Sequence, residues 1–169
     1  ASKEPFFAVR LWIGSLFFRP SSTWLLAFSH AMLQENRREE AMTEQFRALV
    51  IDDRNGKPVA DFQTLTLADL PDHDVLVEVL FSTLNYKDGL AVSGKGRIAR
   101  RLPMVAGVDL SGIVVESRNP DWKPGDKVIV NGWGMSETEW GGYTRFQRLK
   151  SEWLTRLPDA FTLEESMAI

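Results

Sequence analysis

The sequence predicts a mainly β domain of the barrel or sandwich type, and three observations carry that expectation. Apolar residues alternate with mixed ones in several short runs, the period of a half-buried strand. Turn signals punctuate those runs at short intervals: Asn55-Gly56 is a hairpin dipeptide, and Pro124-Gly125 fits a tight turn. Finally, strand-like runs succeed one another with almost no helical periodicity between them, the pattern of sheets packed on sheets.

Taken in order, "FRALVID" leads into "DRNGK", whose Asn55-Gly56 signals a hairpin turn. "VLVEVLFSTL" follows, with Val75, Val77, Val79 and Phe81 on one face. "LSGIVVES", "DKVIVNGW" and "GGYTRFQRLK" repeat the pattern. In "FTLEESMAI", Thr162 and Glu165 have capping-box spacing, so a helix is expected to start there and to be cut short at Ile169. Elsewhere no helix is expected. Gly107, Gly112, Gly125 and Gly141 read as turn or close-approach positions, and Asp109 as the brace of a turn. His73, among the turn residues of "LPDHDV", is expected to be exposed.

Residues 1–41 differ from the rest. Their aromatic apolar runs are cut by Arg, Pro and Ser, and a charged stretch closes them. The order of features fits no targeting signal, so they are expected to be a non-native or disordered extension preceding a domain of residues 42–169.

Composition excludes several functions. A net charge of −3 argues against general nucleic-acid binding. No cysteine and only two histidines argue against a classical zinc site, and leave no disulfide or thiol nucleophile. No run reaches the roughly 20 apolar residues of a membrane-spanning helix. A cytoplasmic address fits this inventory.

"GLAVSGKG" at 89–96 nearly matches the phosphate-binding loop, but Gly96 stands where a magnesium-holding hydroxyl is required, and "RIARRLP" after it does not read as a helix. The run is expected to be a flexible connection. Its basic residues, Lys95, Arg97, Arg100 and Arg101, form a solvated cluster able to attract phosphate through local charge.

Three longer stretches, "LNYKDGLAVSGKGRIARRLPMVAGVDLSGIVVES", "KPGDKVIVNGWGMSETEWGGYTRF" and "SEWLTRLPDAFTLEESMAI", resemble the zinc-independent medium-chain dehydrogenases/reductases. Within that superfamily they resemble the acrylyl-CoA reductase and quinone-oxidoreductase-like branch, from Met42 to Ile169. Where zinc-dependent members carry Cys and His, this chain has Asn85, Tyr86 and Asp109.

The resemblance implies a GroES-like, partly open β-barrel with short helices, incomplete here, and a Rossmann domain for NADPH that is absent from this chain. It further implies a homodimeric parent enzyme that reduces the activated C=C bond of acrylyl-CoA to propanoyl-CoA without a metal, and a part that is inactive alone. The alternatives are an NADPH:quinone oxidoreductase and a β-barrel binding domain without enzyme activity.

Residue by residue, Tyr86 is expected at the nicotinamide end of the cofactor and as a hydrogen-bond donor in catalysis. Asn85 beside it is expected to hold an amide of cofactor or substrate. Both are read as closing a barrel strand, with Lys87 and Asp88 as supports. Trp133 and Trp140 flank a glycine-containing loop and read either as walls of a pocket for a flat substrate or as anchors of that loop.

Overall fold

Residues 44–168 are described in a computed structural model; the extension expected over 1–41, and Met42, lie outside the described residues. The alternating runs become eight strands, all paired antiparallel. Strands β1 (Phe46–Arg54) and β2 (Lys57–Leu65) form the expected hairpin. Asn55 and Gly56 turn it with φ of 59° and 78°, the left-handed pair that a two-residue connection demands. β4 (Met104–Val105) pairs with the other edge of β1, giving a three-stranded sheet.

The second sheet has five strands. β3 (Val75–Phe81) and β5 (Asp109–Ser117) lie centrally, flanked by β7 (Phe146–Leu149) on one side and by β6 (Lys127–Asn131) and β8 (Thr155–Arg156) on the other. One segment serves both sheets. The Tyr143 carbonyl accepts from Leu49 N–H in the first sheet (2.9 Å), and the Arg145 carbonyl accepts from Val79 N–H in the second (2.8 Å).

Period-two patterning explains the core. Val75 and Val77 of β3 pack with Leu110, Val114, Val128 and Leu149, whereas Leu76 faces a different cluster with Phe46, Ala48, Val50 and Phe146. β3 is therefore buried on both faces at its start. The inward face expected through Phe81 is not kept: register shifts follow Leu76 and Val79, and Leu80 and Phe81 emerge to solvent. A bulge changes which face a residue meets, and period alone does not reveal it.

Gly112 sits against β3, where a Cβ would collide with the Glu78 carbonyl, and Gly141 likewise abuts the Gly107 carbonyl. Both are the close-approach positions expected from the sequence.

Three further expectations change. Residues Tyr86–Ser93 form an α-helix, α1, which takes in the start of the 89–96 run expected to be flexible; β3 ends at Phe81, so Asn85 and Tyr86 do not close a strand as expected but cap and open this helix. The Thr162–Glu165 capping box forms as expected, with Thr162 N–H donating to Glu165 Oε2 (2.8 Å) and Glu165 N–H to Thr162 Oγ1 (3.1 Å). It opens only a short 3-10 turn, Glu165–Met167. His73 is not exposed: its ring packs edge-on to Trp153 with centroids 5.3 Å apart, and its side chain keeps 18% of its accessibility.

Candidate functional site

Local chemistry at the end of β3 builds the site. Ser82 Oγ donates to the Asp109 carbonyl (2.6 Å) and Thr83 Oγ1 to the Asp109 carboxylate (3.0 Å), which bends the chain back across the start of β5. Asn85 then caps α1. Its Oδ1 accepts from Lys87 N–H (2.9 Å) and Asp88 N–H (3.1 Å), satisfying two of the helix's free donors. The exchange is reciprocal, because Asp88 Oδ2 accepts from Asn85 N–H (3.0 Å). Gly94, in the left-handed conformation at φ 67°, ends the helix. The phosphate-loop geometry is thus reversed: the helix precedes the glycine-lysine pair instead of following it.

Two carboxylates hold this corner. Asp88 is fully buried, and its second oxygen accepts from Val108 N–H (3.0 Å), locking α1 to the strand region before β5. Asp109 spans two segments. One oxygen accepts from Thr83 and Asn85 Nδ2 (3.3 Å), the other from Asn131 Nδ2 (3.3 Å) and Gly132 N–H (3.2 Å). The expected turn brace is therefore a four-donor clamp. It ties the residue before Tyr86 to the residue before Trp133.

Tyr143 completes the corner. Its hydroxyl donates to the Thr83 carbonyl (2.7 Å). Burial, followed by the negative charge of Asp88 and then of Asp109, pushes this phenol well above the ordinary tyrosine range. Tyr143 is a structural donor, not a proton source at neutral pH. No periodicity marks it, and the expected site did not include it.

The expected site residues separate into two kinds. Tyr86 is 82% exposed at the first position of α1, and Leu84 is 79% exposed beside it. Trp133, with φ 51°, stacks one face on Trp153 (centroids 6.4 Å apart, planes 19° apart) and leaves 56% of its surface open. Asp109 thus ties together the two segments that carry the exposed rings of Tyr86 and Trp133. Asn85 sits there too, but its oxygen is committed to the cap and one N–H to Asp109, leaving a single N–H free.

Trp140 belongs elsewhere. Its indole packs against two core clusters and donates to the Pro103 carbonyl (3.2 Å), which makes it an anchor of the 134–140 loop. Lys87 likewise supports that loop, pairing with Glu137.

Among the described residues no group of three or more His, Cys, Asp and Glu is arranged to hold a metal ion, and no helix is long and apolar enough to cross a membrane.

The family model described as the alcohol dehydrogenase GroES-like domain matches residues 71–159, more than half the chain. The probable acrylyl-CoA reductase AcuI of Escherichia coli is 42% identical over 123 residues, which cover 73% of this chain and 38% of that protein. The putative quinone oxidoreductase YhfP of Bacillus subtilis is 34% identical over 126 residues, covering 75% of this chain and 38% of its own length. Among solved structures, the yhdH oxidoreductase of Salmonella enterica in complex with NADP superposes with a TM-score of 0.70 at 41% identity, over 72% of this chain and 37% of that one. The chain thus spans well under half the length of the relatives it matches. With its antiparallel sheets and clamped β3–α1 corner, the chain belongs to the alcohol dehydrogenase GroES-like domain family of the medium-chain dehydrogenases/reductases, on the side of the acrylyl-CoA reductases and quinone-oxidoreductase-like proteins.

Proposed function

We propose that residues 44–168 supply the substrate side of an NADPH-dependent, zinc-independent reductase of activated C=C bonds, with acrylyl-CoA reduced to propanoyl-CoA. One observation carries this reading: Tyr86 and Trp133 present open aromatic surfaces on the two sides of the Asp109 clamp, with Leu84 adding apolar area. That surface suits the nicotinamide end of the cofactor, a flat ring with an amide edge, and a conjugated acyl group beside it. The NADP-bound relative supports the choice of cofactor.

When bound, NADPH would supply the hydride for the substrate β-carbon, and the proton the α-carbon also takes would come from solvent. The chain's own residues position and stabilise. Asn85 and Asp88 fix the backbone of the first turn of α1, from which the exposed Tyr86 hydroxyl donates a hydrogen bond to the bound ligand. The free N–H of Asn85 holds an amide or carbonyl oxygen next to it. Trp133 and Leu84 keep water from the reacting atoms.

Kinetics of the full-length protein with NADPH test the reading. Acrylyl-CoA is expected to be turned over with kcat/KM well above that of a simple benzoquinone, and Tyr86→Phe to lower kcat about tenfold or more while leaving the melting temperature in place. Preference for the quinone would move the protein to the oxidoreductase alternative that the 34% identical relative represents. Wild-type kinetics in Tyr86→Phe would remove that hydroxyl from the chemistry.

A further inference from the structure

The basic run after α1 has no part in the corner described above. Its apolar residues Ile98, Ala99 and Leu102 pack onto the cluster containing Ile51, Ala91 and Met104, while Lys95, Arg97, Arg100 and Arg101 are exposed. Backbone bonds secure it at both ends, Gly96 N–H to the Leu90 carbonyl (3.4 Å) and Arg100 N–H to the Glu137 carbonyl (2.8 Å). The run is a fixed, one-sidedly anchored shelf of cations rather than the flexible tether expected from its glycines.

Its path matters. Glu137 pairs with Lys87 in the first turn of α1 and with Arg100 in the run (3.7 Å). The run therefore leaves the end of α1 and returns, through Glu137, to Lys87 in its first turn. Eight residues of helix separate those two ends by about 12 Å. Arg100 shares Glu137 with Lys87, and no ion pair among the described residues involves Lys95, Arg97 or Arg101. Three exposed cations without an ion pair thus fall within the 95–101 run of a chain whose net charge is −3. Like charges held near one another in water repel, so a fixed cluster of this kind invites a polyanion.

We infer that Lys95, Arg97 and Arg101 form a phosphate-recognition shelf for the phosphorylated ADP end of a coenzyme A thioester, whose acyl end lies at Tyr86. This rests on the reading of Tyr86 and Trp133 as the substrate side of the site. It makes the shelf the determinant that separates a CoA-borne substrate from a quinone, which carries no phosphate. Arginine suits the task, since its planar fork pairs with phosphate oxygens through two parallel hydrogen bonds.

The test compares two thioesters in the full-length protein with NADPH: acrylyl-CoA, and acrylyl-N-acetylcysteamine, which has the same reacting end and no phosphate. The variant is Lys95→Ala/Arg97→Ala/Arg101→Ala, with Arg97→Lys/Arg101→Lys as a charge-preserving control. KM for acrylyl-CoA is expected to rise about tenfold in the triple variant, with KM for the short thioester and for NADPH unchanged. The wild-type advantage of the CoA ester should also shrink as salt is raised.

An unchanged KM for acrylyl-CoA overturns the shelf while leaving the reductase reading intact. A rise confined to the NADPH KM reassigns the cations to the cofactor and overturns the thioester assignment. A lowered melting temperature with unaltered KM would mean that the cations serve only the negative end of α1. Wild-type protein inactive on both thioesters overturns the reading beneath the inference as well.

Discussion

Two segments meet at Asp109, and they are held there by different balances of side-chain hydrogen bonding and packing. The 82–88 segment is secured by hydrogen bonds: the hydroxyls of Ser82 and Thr83, the Asn85–Asp88 cap and the buried carboxylate on Val108. The 132–140 segment touches Asp109 at its start and turns on local backbone hydrogen bonds, and it is fastened to the rest largely by packing and ion pairs, through Trp133 on Trp153, Met135 and Trp140 on the core and Glu137 with Lys87 and Arg100. Hydrogen bonds to buried carboxylates fix positions to fractions of an ångström and are costly to break, whereas partly exposed packing tolerates adjustment. On the function proposed above, the rigid side carries the Tyr86 hydroxyl and the other side the flat surface of Trp133.

That contrast is open to direct tests. Asp88→Ala should have the largest effect, because it strands the buried N–H of Val108 and that of Asn85. A loss of about 3 kcal/mol is expected in urea unfolding, and a loss under 1 kcal/mol would show that water replaces the carboxylate easily. Trp140→Ala should follow at about 2 kcal/mol, below a fully buried tryptophan since its ring is only partly covered.

Tyr143 sharpens the rigid side. Its folded-state pKa lies above that of the unfolded chain, so the stability it contributes is fully present below the ordinary phenol pKa of about 10. It fades as pH climbs through the raised folded value. In Tyr86→Phe, Tyr143 is the one remaining tyrosine. Phenolate absorbance in that variant should appear only well above pH 10, and titration at the ordinary value would refute the burial of that hydroxyl. Trp133→Ala should be smallest in stability, within about 0.5 kcal/mol. Its expected consequence is a raised KM for the acyl substrate, and a large fall in stability would turn it into another anchor.

Much of the sheet architecture was legible because it rests on local rules. Asn55-Gly56 can hardly be anything but a hairpin turn, and alternation placed Val75 and Val77 inside. Helix α1 was not legible in the same way. Gly89, Gly94 and Gly96 suggested a flexible run, since glycine weakens helices, and Asn85-Tyr86 followed a strand without visible punctuation. The available signal was Asn85 followed three residues later by Asp88, with Gly94 as terminator. The opposite error arose at Thr162, where a genuine cap was taken for a whole helix although it organises only one turn.

Asn85 and Tyr86 were marked by resemblance and Trp133 by its ring beside a glycine-containing loop, but the two roles hidden in tertiary space were not. Asp109 reaches Thr83, Asn85, Asn131 and Gly132 across more than 20 positions, and Tyr143 reaches Thr83 across 60. Trp133 and Trp140 look alike in sequence; only the cores against which they lie tell them apart.

The segment that gives Tyr143 to one sheet and Arg145 to the other has a kinetic meaning. Amide protons of Leu49 and Val79 hang on carbonyls two residues apart, although they sit in different layers. Neither layer can breathe open at that seam without pulling on the other. Deuterium uptake at these two amides should therefore proceed in step, as for a hinge with a single pin.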